Sequence, residues 1–401
     1  MNVKPMIRNN MCVNAHPAGC AAGVVRQVKY VQEKKAERGS PKDAPKTVLV
    51  VGCSTGYGLS SRITATFGYG ADTIGISFEK EGTDTPTPQS GTPGWYNNMA
   101  FDREAKAAGL KSITINGDAF SHTMRKQVIE TLQQMGKKVD LLVYSIASAV
   151  RVDPDTGDLY HSAIKPIGEP FTGETVDCMT GKISTISAEP ATAEEAANTV
   201  KVRGGEDWAL WTRQLAAAGV LAEGVKTVAF SYIGPALTHA IYRDGTIGNA
   251  KKDLEKTARE LNDELKESLG GNAYVSINKC IVTRSSAVIP LIPLYLSVLY
   301  KVMKEQGSHE DGIEQMERLF AERLYTGGPV PTDENGLIRI DDLEMAPKVQ
   351  DEVKKRMATI TQETLAQIGD FDGYRHDFLA TNGFDVEGVD YNADIPSMES
   401  I

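Results

Sequence analysis

The chain has 401 residues, of which 41% are hydrophobic and 24% charged, and its formal net charge at pH 7 is −10. This composition is typical of a globular protein with enough apolar surface to build a large core. The acidic balance, with Lys and Arg dispersed rather than clustered, argues against a nucleic-acid partner. The length is compatible with two or three average domains or with one enlarged α/β domain.

The sequence gives no signal for export or for metal binding. Its first ten residues lack the apolar stretch of a secretory signal. The five cysteines are odd in number and show no C-x-x-C spacing, which favours reduced thiols. We therefore expect a cytoplasmic protein. The six histidines lack H-x-x-x-H and H-x-H spacing, so no metal site is expected.

Residues 48–62 carry the strongest structural signal and read VLVVGCSTGYGLSSR. The apolar run at 48–51 predicts a parallel strand that is buried on both faces. The Gly52-x-x-x-Gly56-x-Gly58 spacing that follows is typical of short-chain-type reductases, and a helix is predicted after it. A strand, a glycine turn and a helix place backbone N–H groups around a pyrophosphate. A glycine turn alone is weak support, because many strand-to-helix turns need glycine for its backbone freedom.

An acid stands where a dinucleotide site places one. Residues 73–79 predict a second strand, and Glu79 lies 21 residues beyond Gly58. A carboxylate there accepts hydrogen bonds from both ribose hydroxyls of NADH and repels the 2′-phosphate of NADPH. The alternative is a solvated acid beside Lys80 and Glu81. The order of strand, turn, helix and acid favours the first interpretation and predicts NADH as the cofactor.

The alternation of strands and helices continues through the next part of the chain. A helix is predicted over 101–108, a strand over 112–115, a helix over 124–135 and a strand over 140–145. This alternation predicts an α/β fold with a Rossmann-type doubly wound parallel sheet. Its ligand is expected at the carboxyl ends of the strands.

Two stretches are predicted to depart from this pattern. Residues 82–94 are rich in Gly, Pro and Thr and predict a loop that runs into residues 95–98, Trp-Tyr-Asn-Asn. These four residues either close on a ligand or are packed. Residues 151–207 are polar and predict an insertion of short hairpins and loops, which is either a lid or a surface excursion.

The domain organisation follows from these elements. We expect one enlarged Rossmann-type domain over 1–401, with a nucleotide-binding core at about 47–150 and 226–300 and with N-terminal, insertion and C-terminal additions. The apolar run at 287–300 has 14 residues, too few for a membrane span. It predicts a core helix that also serves as the apolar wall of a pocket.

Tyr242 and Lys251 follow a fifth predicted strand and have eight residues between them. In one straight helix they would lie about 13 Å apart along the axis and on opposite faces. They meet only if the chain turns between them, and Gly245 and Gly248 favour such a break. Beside a nicotinamide, the ammonium holds the ribose hydroxyls while the phenol donates to an oxygen that gains negative charge. Both residue types are common, so the spacing alone does not decide for catalysis.

Five segments taken together resemble the trans-2-enoyl-CoA reductase / FabV-type enoyl-[acyl-carrier-protein] reductase family. They are residues 52–58, 94–98, 232–235, the pair Tyr242-x8-Lys251 and residues 278–295. The similarity extends over nearly the whole chain. Its most specific element is the Tyr-x8-Lys spacing, since other short-chain-type reductases use shorter spacings.

The resemblance implies a set of residues that bind NADH. They are Gly52, Cys53, Ser54, Thr55, Gly56 and Tyr57 at the pyrophosphate, Phe78 and Glu79 at the adenosine, Asp118, Ala119, Ile146 and Ala147 along the cofactor, Lys251 at the nicotinamide ribose, and Ile281, Val282 and Thr283 over the nicotinamide. The resemblance also implies that Tyr242 is the proton donor and that Tyr232 is a second tyrosine at the substrate carbonyl.

The function implied by the resemblance is NADH-dependent reduction of the trans-2 double bond of enoyl thioesters, in metabolism of the fatty-acid type. The resemblance also suggests a monomer. The alternatives are an enoyl-ACP reductase that uses the same site, a ketone or alcohol oxidoreductase, and an NADH-binding redox sensor without turnover. The acidic net charge favours coenzyme A over an acidic carrier protein as the thioester carrier.

Overall fold

The N-terminal segment combines a small hairpin with a long helix. The residues that the computed structural model describes are 2–8, 10–39, 41–284, 286–287, 289 and 291–401. Strands β1 (Ile7–Arg8) and β2 (Met11–Cys12) pair antiparallel, and helix α1 (Pro17–Arg38) follows. The buried side chain of His16 accepts a hydrogen bond from the N–H of Gly19 and so caps this helix.

The first half of the sheet follows the predicted alternation closely. Its elements are β3 (Thr47–Val51), α2 (Gly56–Ile63), β4 (Asp72–Ser77), α3 (Pro93–Ala107), β5 (Ser112–Asn116), α4 (His122–Met135) and β6 (Val139–Tyr144). A π-helical segment at Thr64–Gly68 extends α2. Strand β4 ends at Ser77, two residues before Glu79, so it is shorter at its carboxyl end than the strand predicted over 73–79.

The region predicted as an insertion contains two hairpins and one helix. Its elements are β7 (Val150–Val152) paired with β8 (Leu159–His161), β9 (Phe171–Val176) paired with β10 (Ile183–Ala188), and α5 (Ala193–Arg203). The hairpins are confirmed, whereas α5 was predicted as loop. Its sequence carries the start signal of a helix, because Thr192 and Glu195 form a capping box.

The rest of the chain completes the sheet and adds a helical C-terminal part. The elements are α6 (Glu206–Ala217), β11 (Leu221–Ser231), α7 (His239–Tyr242), α8 (Thr246–Leu269), β12 (Asn272–Ile277), α9 (Ile292–Glu305), α10 (Gly312–Leu319), β13 (Ile338–Arg339), α11 (Pro347–Met357), α12 (Leu365–Ile368) and α13 (Phe371–Ala380). A 3-10 turn at Ala236–Thr238 precedes α7, and a π-helical segment at Phe320–Leu324 extends α10.

Seven parallel strands form the central sheet, in the order β13-β12-β11-β6-β3-β4-β5. The predicted Rossmann-type doubly wound sheet is therefore confirmed. The strand order reverses at β3, which pairs with β4 on one side and with β6 on the other. All five residues of β3 are buried, as expected of a central parallel strand. A crevice opens at this reversal, outside the carboxyl ends of the strands.

Residues 95–98 do not form a loop. Pro93 occupies the first turn of α3 and starts the helix earlier than predicted. The amide of Asn97 donates to the backbone oxygen of Ser54 at 2.9 Å, and that of Asn98 donates to Ser77 Oγ at 2.9 Å. The packed alternative is therefore correct. The segment is hydrogen-bonded to the glycine turn and to the end of β4.

The apolar run predicted at 287–300 is mostly helix α9. Its residues from Leu294 to Tyr300 are all fully buried, which confirms a core helix. Val288 and Pro290, which belong to the same predicted run, lie outside the described residues. Within the described ranges, none of the helices has the combination of length and apolarity that a membrane crossing requires.

Candidate active site

A cavity of about 710 Å³ lies in the crevice at the carboxyl edge of the sheet. It brings together nine of the residues predicted to bind the cofactor. They are Gly52, Ser54, Thr55, Phe78, Glu79, Asp118, Ala119, Ile146 and Ala147. The same cavity is bordered by residues of the β1–β2 hairpin and of β7, so the N-terminal addition and the insertion both contribute to its walls.

The glycine turn is shaped by close approaches that exclude a side chain. Gly52 has φ of 90°, and a Cβ there would lie 2.4 Å from the backbone oxygen of Ser145. A Cβ on Gly58 would lie 1.8 Å from the backbone oxygen of Gly52. At Gly56 a Cβ would meet only Thr283 Cγ2, at 3.8 Å. The turn is therefore tight against the sheet and open towards the cavity.

Helix α2 presents its amino end to this cavity. Its N-cap residue, Thr55, makes no side-chain capping hydrogen bond, so the first N–H groups of the helix are left for another acceptor. Free N–H groups at a helix N-terminus bind phosphate. The cradle therefore fits the pyrophosphate of a dinucleotide.

Glu79 is held in a fixed position at the cavity wall. Its backbone N–H donates to Asn116 Oδ1 at 2.8 Å, and Asn116 Nδ2 donates to its backbone oxygen at 2.8 Å. Its carboxylate accepts from Ser54 Oγ and lies over Gly94, where a Cβ would be 2.2 Å from Glu79 Oε1. The aromatic ring of the neighbouring Phe78 is 78% exposed at the cavity rim. A carboxylate and an open apolar ring fit the ribose and the adenine of an adenosine.

Two predicted cofactor residues direct their side chains away from the cavity. Cys53 is fully buried, and its thiol lies 3.6 Å from Asn98 Oδ1. The hydroxyl of Tyr57 donates to the backbone oxygen of Lys279 and to Gln315 Oε1. Only the backbones of Cys53 and Tyr57 are therefore placed to face a pyrophosphate.

The segment after β12 lies opposite the glycine turn. Ile281, Val282 and Thr283 line a second cavity of about 220 Å³, which shares Thr55 with the first cavity. The N–H of Val282 donates to the hydroxyl of Tyr300 at 3.2 Å. These contacts hold the segment close to the amino end of α2.

The predicted break between Tyr242 and Lys251 is present. Helix α7 ends at Tyr242 and α8 begins at Thr246. A Cβ on Gly248 would lie 2.1 Å from the backbone oxygen of Arg243, so a side chain there would prevent the chain from turning back. Lys251 Nζ donates to the backbone oxygen of Phe230 at 3.2 Å, at the carboxyl end of β11.

Tyr242 and Lys251 lie at the carboxyl end of β11 and do not line the cofactor cavity. Strand β11 pairs with β6 up to Ala229 and Tyr144, one residue before the Ser145 that borders the cavity. The ring of Tyr242 stands edge-on to that of Tyr232 at 4.8 Å. Among the described residues, the Tyr242 hydroxyl has no hydrogen-bond partner. It is the one hydroxyl of this tyrosine pair that remains free for a ligand.

Burial and one positive neighbour set the protonation of this pair. The pKa of Lys251 is lowered to about 8, mainly by burial and secondly by the positive charge of Arg203, while Glu255 opposes the change. Burial raises the pKa of Tyr242 well above its ordinary value, with Cys280 adding to this effect and Arg203 opposing it. The site therefore keeps the phenol protonated and the amine titratable near neutral pH.

The sequence analysis missed two side chains that face this pair. Arg203, at the end of α5, donates from Nε to Ser162 Oγ at 2.9 Å and has no acidic partner among the described residues. Glu344 accepts from the hydroxyl of Tyr232 at 2.9 Å. The sequence carries no signal for either residue. Arg203 is the last residue of a helix that was predicted as loop. Glu344 follows two other acids, Asp341 and Asp342, and is not distinguished from them by its neighbours.

These features define a class of protein. A doubly wound parallel sheet, a Gly-x-x-x-Gly-x-Gly turn at the reversal of strand order and a Tyr/Lys pair at the same edge are those of a nicotinamide-dependent reductase of the short-chain type. In the described part of the chain, no group of three or more His, Cys, Asp or Glu residues is arranged to bind a metal ion.

Comparison with family models and with relatives narrows the class. The model described as "Trans-2-enoyl-CoA reductase catalytic region" matches residues 89–325, and "NAD(P)H binding domain of trans-2-enoyl-CoA reductase" matches residues 2–84. The trans-2-enoyl-CoA reductase [NADH] of Treponema denticola is 57% identical over 100% of both chains. The enoyl-[acyl-carrier-protein] reductase [NADH] of Flavobacterium johnsoniae is 51% identical, also over 100% of both. The chain therefore belongs to the trans-2-enoyl-CoA reductase family.

Solved structures agree with this assignment. The crystal structure of the Treponema denticola trans-2-enoyl-CoA reductase in complex with NAD matches with a TM-score of 0.96 over 100% of both chains. The Clostridium acetobutulicum trans-2-enoyl-CoA reductase in complex with NADH, 42% identical, matches with a TM-score of 0.94 over 100% of this chain and 98% of that one.

A third family model, "Enoyl reductase FAD binding domain", matches residues 332–395. In this range the described residues form the two-residue β13 and helices α11 to α13, without a glycine-rich turn between a strand and a helix. The cavities that these residues mainly line measure about 400 and 320 Å³. Both cavities are smaller than the cavity of about 710 Å³ at the carboxyl edge of the sheet, which fits a dinucleotide. The described residues of this segment therefore do not fit FAD.

Glu79 generates the first prediction. We expect the wild-type protein to prefer NADH strongly, because the carboxylate repels a 2′-phosphate. Glu79→Ala should narrow the ratio of kcat/KM for NADH over NADPH by about tenfold or more, equivalent to about 1.4 kcal/mol. The exposed Glu81 provides the matched control, and Glu81→Ala should leave the ratio unchanged. Equal kcat/KM values for the two cofactors in the wild type would refute the assignment of Glu79.

Proposed function

We propose that this protein reduces the trans-2 double bond of enoyl thioesters with NADH. The observation that carries the proposal is the free hydroxyl of Tyr242, which lies at the same edge of the sheet as Lys251 and as a cavity that fits a dinucleotide. The printed names of the relatives support the same reaction. A redox sensor without turnover would have no use for this tyrosine.

The residues that would bind NADH are those at the carboxyl edge of the sheet. We propose Gly52, Cys53, Ser54, Thr55, Gly56 and Tyr57 for the pyrophosphate, Phe78 and Glu79 for the adenosine, Asp118, Ala119, Ile146 and Ala147 along the cofactor, and Lys251, Ile281, Val282 and Thr283 at the nicotinamide end. When bound, NADH supplies the hydride that reduces the β-carbon of the thioester.

Tyr242 acts on the oxygen of the thioester. Reduction at the β-carbon moves negative charge to that oxygen, which becomes an enolate. The phenol of Tyr242 donates a hydrogen bond to this oxygen, and the bond strengthens as the charge grows. Its raised pKa keeps the proton on the phenol, so it acts as a donor throughout the reaction. Protonation at the α-carbon then completes the saturated product.

Lys251 and Tyr232 support this step in different ways. As an ammonium, Lys251 donates to the ribose hydroxyls at the nicotinamide and adds a positive charge close to the developing enolate. Tyr232 borders the thioester carbonyl with its ring, in edge contact with Tyr242 at 4.8 Å.

The organisation of the protein is also part of the proposal. We propose that residues 1–401 act as one enlarged reductase domain and as a monomer, because the insertion and both terminal additions contribute to the cavity walls. All five cysteines are buried and unpaired, which suits work in the cytoplasm.

Tyr242→Phe is the main test of the function. We expect kcat for an enoyl thioester to fall about a hundredfold or more, because the lost hydroxyl acts mainly in the transition state. NADH binding, measured by fluorescence titration, should remain close to that of the wild type. The matched control is Tyr325→Phe, which removes another buried hydroxyl that has no hydrogen-bond partner. A Tyr242→Phe variant with wild-type kcat would contradict the assignment.

The pH dependence of kcat/KM provides a second test. The Lys251 pKa of about 8 predicts that activity is full below this pH and falls as pH rises through it, because the ammonium is lost. The charged groups that act on Lys251 are Arg203 and Glu255, and Glu255 is itself paired with Arg243 at 3.3 Å. Tyr242 does not produce this loss of activity, since its pKa is raised.

The measurement is kcat/KM from about pH 6 to about pH 10. Lys251→Arg keeps the positive charge at every pH in this range and should abolish the decline, whatever its absolute rate. A wild-type profile that stays flat through pH 10 would show that the charge of Lys251 does not matter.

Coenzyme A is the proposed carrier of the thioester. A net charge of −10 opposes docking of an acidic carrier protein, whereas coenzyme A needs only a few cations in a groove. We expect a higher kcat/KM for enoyl-CoA than for enoyl-ACP with the same acyl chain. The comparison is made at low and moderate salt. A higher kcat/KM for enoyl-ACP that falls steeply with salt would reveal a basic docking patch and favour the ACP reductase.

A further inference from the structure

Glu344, in the C-terminal part of the chain, connects the two halves of the reduction site. We propose that Glu344 is a positioning residue for enoyl reduction, which fixes Tyr232 against Tyr242 and fixes the segment that closes over the nicotinamide. The inference rests on the proposed function, because it assigns a role within that same site.

The carboxyl group of Glu344 is fully buried and accepts three hydrogen bonds. The hydroxyl of Tyr232 donates to Oε1 at 2.9 Å, and the hydroxyl of Tyr295 donates to the same oxygen at 2.6 Å. The N–H of Cys280 donates to Oε2 at 2.6 Å. Gln350 donates to the backbone oxygen of Glu344 at 2.7 Å, so the backbone of Glu344 is fixed as well as its side chain. A buried acid with this many donors has a defined orientation.

The first consequence concerns the tyrosine pair. Tyr232 has one O–H, and while it donates to Glu344 it cannot donate to a substrate oxygen. The hydroxyl of Tyr242 has no hydrogen-bond partner among the described residues, and the ring of Tyr242 stands edge-on to the Tyr232 ring. Glu344 therefore determines which of the two tyrosines donates to the thioester. It also fixes the ring surface against which Tyr242 is oriented.

The second consequence concerns the segment after β12. The peptide groups around Cys280 are held on both sides, because its N–H donates to Glu344 and its backbone oxygen accepts from Lys279 Nζ at 3.0 Å. The N–H of Lys279 donates to Gln315 Oε1 at 2.9 Å. This segment leads directly to Ile281, Val282 and Thr283. Loss of the Glu344 carboxylate would free the nicotinamide side and the substrate side of the site together.

Glu344→Gln is the informative substitution, because the amide has the shape of the carboxylate but offers only one acceptor oxygen. At least one of the three donors would then face an N–H group. We expect kcat for the enoyl thioester to fall roughly ten- to hundredfold, as for a buried donor left without its partner. The Kd for NADH should change by a smaller factor than kcat, because the pyrophosphate and adenosine contacts are unaffected and only the nicotinamide end is loosened.

The control separates positioning from stability. Glu317→Gln neutralises another buried acid, which pairs with Arg38 and not with Tyr232 or Tyr242. We expect it to lower Tm without changing kcat. A Glu344→Gln protein whose Tm falls but whose kcat stays within twofold of the wild type would show a merely structural role and overturn the proposal.

A double-mutant cycle with Tyr232→Phe completes the experiment. If Glu344 acts through Tyr232, Glu344→Gln should lower kcat by a clearly smaller factor in the Tyr232→Phe background than in the wild type. Fully additive losses would contradict this. If Glu344→Gln fails to fold, Tyr232→Phe alone decides, because it breaks the bond but keeps the carboxylate. A several-fold fall in kcat then supports the proposal and an unchanged kcat overturns it. The wild-type rate in the same assay tests the function separately.

Discussion

The close contact between the first turn of α2 and the end of β3 is the constraint on which the rest of the site depends. The backbone oxygen of Gly52 lies where Gly58 would carry a side chain, and a Cβ on Gly52 would lie 2.4 Å from the backbone oxygen of Ser145. This contact brings three chain segments to one edge of the sheet and turns the amino end of α2 towards the crevice. The residues proposed for the adenosine and for the nicotinamide end, and the Tyr/Lys pair, are all arranged around that edge.

The catalytic side of the molecule contains more buried charge than stability alone would favour. Lys279 and Glu344 are removed from water and Lys251 is partly buried, and burial shifts the pKa of each towards its neutral form. Desolvation of this kind costs free energy that hydrogen bonds offset only in part. In the proposed reduction site, the hydrogen bonds of Tyr232, Lys251 and Lys279 orient these groups before a substrate enters, as electrostatic catalysis requires.

Those parts of the fold that depend on neighbouring residues could be predicted from the sequence, and those that depend on distant ones could not. Strand β3 and its glycine turn carry their signal locally, as continuous burial and glycine spacing. The break before Lys251 was predicted from two glycines. Glu344 could not be identified, because its partner Tyr232 is 112 residues away. Arg203 was missed for a similar reason, since its surroundings come from the tertiary packing of α5.

The position of Glu344 in the chain has a consequence for biosynthesis. The edge strand β13 and the acid that holds Tyr232 are both translated after residue 337, whereas the glycine turn is made near the beginning. At ribosomal rates of about 5–20 residues per second, these partners are synthesised roughly tens of seconds after the glycine turn. A nascent chain that lacks them has Tyr232 and the N–H of Cys280 without their acceptor. The proposed reduction site is therefore completed only after residue 344 has been synthesised.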